Sequence, residues 1–192
     1  MKLKFFGYLL IIISITSMLF TGCLTTQYKE YRFKVKKDGS GEGTIKFVNL
    51  ISQKDDGKDV SFKDYGELVT DYLEGNRFES DNPYFTVTDK KLYEEEGMLV
   101  GEVAFKFSSI DSIGFFRDKD CDCSPFIYYL GTMSETFIET NGTYLGGGTK
   151  DFPAISWTKK SNEFYFRTAV QQELDETVSL LPLYKTWKDT KK

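Results

Sequence analysis

The 192-residue sequence contains no histidine. That absence removes the commonest general base near neutral pH, the Ser-His-Asp and Cys-His nucleophile arrangements, and every zinc site that uses imidazole. Positive charge is also in short supply, with 25 Lys and Arg against 29 Asp and Glu and a net charge of −4. Nucleic-acid binding leaves a basic stripe that neutralises phosphates. The one basic run, Arg32-Phe33-Lys34-Val35-Lys36-Lys37, instead alternates with apolar residues as a solvated strand face does. Nucleic acid is therefore set aside as a partner. Cysteine is limited to three residues, and there is no internal repeat and no long linker.

What the chain does have is aromatic mass. Seventeen Phe, twelve Tyr and two Trp, in a composition that is 40% hydrophobic and 28% charged, describe a chain able to bury a sizeable core. Flat rings pack well across neighbouring strands, so the composition leans toward β structure.

The amino terminus is built as a secretion signal. Lys2 and Lys4 supply a short positive region, and residues 5–20 form an apolar stretch broken only by Gly7, Ser14, Thr16 and Ser17. At roughly 16 residues it is short of the ~20 that span a bilayer. It ends in Leu19-Phe20-Thr21-Gly22-Cys23, which resembles the lipobox of bacterial lipoproteins. The resemblance implies cleavage between Gly22 and Cys23, with diacylglycerol on the Cys23 thiol and an acyl group such as palmitate on the new amino terminus. Several acyl chains hold a protein durably on a membrane. Leu24 is not the Asp that retains some lipoproteins in the inner membrane. The implied division is a signal peptide over 1–22, a lipidated terminus and short tether over 23–26, and one domain over 27–192 in the bacterial cell envelope. The membrane would be the outer one, or the periplasmic face of the inner one.

Within the domain, alternation over residues 27–37 and 44–47 around Asp38-Gly39-Ser40-Gly41 predicts a hairpin whose glycines take positive φ. Phe62, Tyr65, Leu68, Val69, Tyr72 and Leu73 recur at helical spacing. Ser61 and Asp64 resemble a capping box, and Gly75 is placed to end the helix. Residues 84–94 and 98–107 read as a second hairpin around Glu95-Glu96-Gly97, and 109–116 as a short helix. Strands are expected over 126–130, 135–140, 155–159 and 163–170, with turns at Asn141-Gly142 and Ser161-Asn162. Residues 178–188 form either a docked helix or an irregular tail, with Pro182 favouring a kink or a late start. The expected fold class is α+β: a mainly antiparallel sheet with one amphipathic helix packed on a face.

Few residues gather chemistry. Cys121 and Cys123 flank Asp122 in an acidic loop, Arg117 to Cys123. Two thiolates and a carboxylate suit zinc or copper, and the pair suits thiol–disulfide cycling. An even pair left in an oxidising compartment also suits a plain disulfide. Gly146-Gly147-Gly148 lacks the Lys-Ser or Lys-Thr and the following helix of a phosphate loop. Glu94-Glu95-Glu96 reads as a hydrated hairpin end. Tyr128, Tyr129, Trp157, Phe164, Tyr165 and Phe166 are candidates to line an apolar groove or to pack the core. Because Phe164-Tyr165-Phe166 alternates faces, one ring needs cover outside the main core.

The order of lipobox, Asp38-Gly39-Ser40-Gly41 turn, amphipathic helix and Gly101-Glu102-Val103-Ala104-Phe105-Lys106-Phe107 resembles the LppM-type domain of envelope lipoproteins, over residues 23–116. The resemblance implies an α+β fold held at the envelope and, by its mycobacterial members, lipoglycan binding. This chain lacks those members' C-terminal membrane helix, and no binding residue carries over. The expectation is a non-catalytic module, without cofactor, for an amphiphile, a glycan or an envelope protein. A thiol-based metal or redox site at Cys121 and Cys123, and a carboxylate-dependent cell-wall or polysaccharide hydrolase, stand as alternatives.

Overall fold

Alternation of Tyr31, Phe33 and Val35 with charged neighbours produces the longest ladder in the molecule. Strand β1 (Leu24–Val35) pairs antiparallel with β2 (Gly41–Gln53), with Tyr31 opposite Ile45 and Phe33 opposite Gly43. This computed structural model describes residues 23–118, 120–121, 123–147 and 152–191. The expected signal peptide over 1–22, Gly22 included, lies outside the described residues, as do Lys119, Asp122 and Gly148. Residues 24–26 correct the expected tether. They are already in β1, because Thr26 finds both a ladder and a buried acceptor, its hydroxyl donating to the Val48 carbonyl at 2.7 Å.

In the connecting turn only Gly39 takes a positive φ, of 84°. Gly41 instead opens β2, where a Cβ would lie 2.5 Å from the Phe107 ring. The Asp38 carboxylate accepts from the Ser40 hydroxyl and backbone N–H, which hold its pKa below the ordinary value. The second hairpin, β3 (Thr86–Glu95) and β4 (Met98–Phe107), turns on Glu96 and Gly97, with φ of 51° and 76°. Two successive positive φ values match the twist of the strands they join.

The later strands complete two sheets. They are β5 (Phe115–Phe116), β6 (Phe126–Tyr129), β7 (Thr136–Thr140), β8 (Thr143–Tyr144), β9 (Ala154–Trp157), β10 (Glu163–Ala169) and β11 (Thr177–Ser179). The large antiparallel sheet runs β3-β4-β2-β1-β10-β7, with β11 on β2, and the small one runs β5-β6-β9-β8. Residues 109–116, expected as a helix, are a 3₁₀ turn (Ile110–Ile113) followed by β5. Asn141-Gly142 does not close a hairpin, since β7 belongs to the large sheet and β8 to the small one. The Asn141 side-chain oxygen joins them, accepting from the Trp157 indole at 2.7 Å and the Tyr165 N–H at 2.9 Å.

Aromatic rings fill the space between the sheets. Phe33 meets Phe115 at 5.3 Å, and Phe164 meets Phe126 and Trp157 at 5.1 and 5.3 Å. Tyr165 points the other way and is covered by the Arg32 guanidinium, 4.3 Å from its ring.

Helix α1 (Ser61–Glu67) runs on into a π-helical segment (Leu68–Leu73), and α2 (Arg77–Asp81) and α3 (Leu181–Thr190) follow. The expected capping box does not form. Asp59 accepts from the Ser61 N–H at 2.8 Å, while Asp64 turns inward to the Ser52 hydroxyl. Gly75 is absent from the positive-φ glycines and so does not cap the segment in the left-handed form; a Cβ there would sit 2.6 Å from the Thr70 and Asp71 carbonyl oxygens. Pro182 lies in the first turn of α3, where a missing N–H is harmless. Tyr65, Leu68 and Val69 pack with Leu50, Leu99, Leu180 and Tyr184 into a second core. Among the described residues both cores, with the hydrophobics packed against them, lie within residues 24–187. The chain is a single α+β domain, mainly antiparallel.

Candidate ligand cavity

One face of the large sheet is covered at one end by the small sheet and at the other by α1, the π segment and α2. Between the two covers lies a cavity of about 510 Å³, within the usual range for small-molecule sites. Its walls are mostly apolar: Phe47 and Leu50 from β2, Leu68 and Tyr72 from the π segment, Phe78 from α2, and Phe85 ahead of β3. A π-helical turn is rare and often marks a functional site. Here the Thr70 hydroxyl accompanies it, donating to the Gly66 carbonyl at 2.9 Å.

The cavity also has a polar end. On β1, Lys29 is in phase with Tyr31 and Phe33, so the pleat aims a charged side chain to the apolar side. It meets Glu135, the residue ahead of β7, at 2.7 Å. Tyr31 donates its hydroxyl to the two Glu135 oxygens at 3.1 and 3.0 Å, and Thr168 donates to Oε2 at 2.5 Å. The Glu135 side chain is 7% exposed. A carboxylate offers about four acceptor positions, and these partners occupy both oxygens. The Lys29 ammonium also lies 5.7 Å from the Phe47 ring centre. Burial and the Glu135 charge push the Tyr31 phenol far above its ordinary value. Burial first, and Glu135 second, push Tyr128 up to about 12. Both phenols thus stay neutral hydrogen-bond donors.

The aromatic residues expected to line a groove divide three ways. Tyr128 lines the cavity; Trp157, Phe164 and Phe166 belong to the core between the sheets; Tyr129 and Tyr165 face outward. Cys121 and Cys123 are joined in a disulfide, with Cα atoms 5.1 Å apart. The bonded sulfurs offer no thiolate to a metal, and among the described residues no group of three Cys, Asp or Glu is placed to hold one. Cys23 is a free thiol at the start of β1, its carbonyl accepting from the Gln53 N–H. Gly146 and Gly147 form a turn, and the next described element is a strand, as suits a connecting loop. Glu94 and Glu95 pair with Lys185 and Lys46 at the hairpin end.

Lys29 and Glu135 are the functional candidates that motif reading passes over. Lys29 carried a usable signal, as a lone charge in phase with the apolar face of a strand. Glu135 carried none, because its place follows from β7 crossing to the far side of β10. No family model, no curated protein and no solved structure matches the chain. Among the described residues no helix is long and apolar enough to cross a membrane.

Proposed function

We propose that the chain is a lipid-anchored protein of the bacterial envelope whose domain holds an amphiphile in this cavity. The observation that carries the reading is the pairing of a largely apolar space of about 510 Å³ with a polar cluster at Lys29 and Glu135. A ligand with a hydrocarbon part and a small polar part matches both. The lipobox-like Leu19 to Cys23 supports the location, and Leu24, Thr25 and Thr26 tie it to the cavity because they line its wall directly after the acylated position. The resemblance to LppM-type domains is consistent with a lipid ligand.

Two measurements test the two halves separately. The segment from residue 23, stripped of lipid and incubated with an envelope lipid extract, should carry a discrete added mass in native mass spectrometry. Repeated recovery of bare protein removes the amphiphile reading. Cys23→Ala in the full chain should leave the protein unprocessed or released from membranes; unchanged mass and fractionation remove the anchor.

A further inference from the structure

The polar end of the cavity around Glu135 has donors to spare, and these favour a ligand that brings an acceptor. Glu135 has both oxygens occupied by Lys29, Tyr31 and Thr168. Lys29 is an ammonium with three donors, and among the described residues Glu135 is its one hydrogen-bonding partner. Tyr128 packs on Phe166 at 4.9 Å, as Tyr31 does at 4.5 Å, and its hydroxyl has no hydrogen-bond partner among the described residues. The end of the cavity therefore presents spare donors on Lys29 and Tyr128 beside a carboxylate engaged through both oxygens.

Its charge is also balanced. Lys29 and Glu135 cancel, the other lysines on the wall are committed, Lys90 to Glu79 and the Gly75 carbonyl, Lys91 to Asp89, and the wall also carries the Asp81 and Glu102 carboxylates. An anionic head would add an uncompensated buried charge, which is costly. At the Glu135 end a cationic head would meet the Lys29 ammonium, whose like charge repels it.

Resting on the cavity reading above, we infer that the ligand is an uncharged acyl ester, an acylglycerol, with an ester carbonyl accepting from Lys29 and Tyr128 and its chain along the apolar wall. The diacylglycerol expected on Cys23 has the same chemistry but the wrong place. Lys29 lies six residues along an extended strand, on the order of 20 Å away, whereas the ester groups of an anchor stay within a few bonds of its sulfur. The ligand is a separate molecule.

The test compares palmitoyl ligands on the lipid-stripped segment from residue 23, by calorimetric titration. Palmitoylglycerol should bind about tenfold or more tighter than its hexadecyl ether analogue, which lacks only the carbonyl, since a hydrogen bond to a charged group is worth at least that factor. Palmitate should bind more weakly than the ester. Tyr128→Phe keeps the ring and should narrow the ester-to-ether ratio; Lys29→Met should narrow it further where that variant folds. Equal binding of ester and ether, or tighter binding of palmitate, overturns the acyl-ester inference and leaves the cavity reading standing. Failure of every palmitoyl ligand to bind overturns both.

Discussion

The Ser52 hydroxyl donates to the Asp64 carboxylate at 2.6 Å, with the two residues 0% and 2% exposed, and the bond joins the end of β2 to helix α1. A carboxylate so deep depends on its partners. Ser52→Ala leaves it short of a donor and should cost about 1–3 kcal/mol, read as a lowered urea midpoint at unchanged slope.

The Tyr65 hydroxyl is buried and has no hydrogen-bond partner among the described residues, although its ring fills the same core as Leu68 and Leu99. Tyr65→Phe keeps the ring and removes the orphan group. Stability should be unchanged or higher by about 1 kcal/mol. A clear loss in thermal unfolding would mean that the hydroxyl has a partner in solution.

Gly43 lies where the Phe105 ring crosses from β4 over β2. A Cβ there would be 2.7 Å from the Arg32 carbonyl oxygen and 2.9 Å from the ring. Gly43→Ala should therefore destabilise by about 1–3 kcal/mol through overpacking, outweighing the smaller gain that alanine usually brings to a strand. Gly97→Asn, at a φ of 76° in open space, should be tolerated by the same assay.

Alkali probes the buried phenols. Burial pushes Tyr65 and Tyr128 up to about 12, against an ordinary value near 10. Their folded-state pKa values are raised, so the contribution is fully present below pH ~10. It is lost as the pH rises toward 12, because the unfolded chain releases those protons first. Tyrosinate absorbance should show a late phase for these residues, and chemical stability should fall across that same window.

Local patterning carried much of the fold. Period-2 alternation placed β1, β2 and β4, and the positive-φ turn at Glu96-Gly97 closed the second hairpin where turn chemistry puts it. What stayed hidden depends on long-range pairing. Residues 135–140 read as a strand running into an Asn-Gly turn, but nothing local says that β7 and β8, on either side of that turn, enter different sheets. Ser61-x-x-Asp64 has the spacing of a cap, and only the buried Ser52 hydroxyl explains why Asp64 turns inward. Of the cavity, the Lys29 end of the ion pair was readable from its phase among Tyr31 and Phe33; Glu135 was not, being 106 residues away along the chain.

Strand β1 is interior, paired with β2 along one side and β10 along the other, and it begins one residue after Cys23. Inter-strand hydrogen bonds in an antiparallel pair lie across the strand axis. A pull applied at residue 23 along the strand would thus load two ladders in shear, all bonds together, and would meet no slack segment first. If Cys23 is the attachment point, the molecule is gripped by a strand paired on both sides, and tension from the membrane reaches the cavity wall at Leu24, Thr25 and Thr26 without an intervening spring.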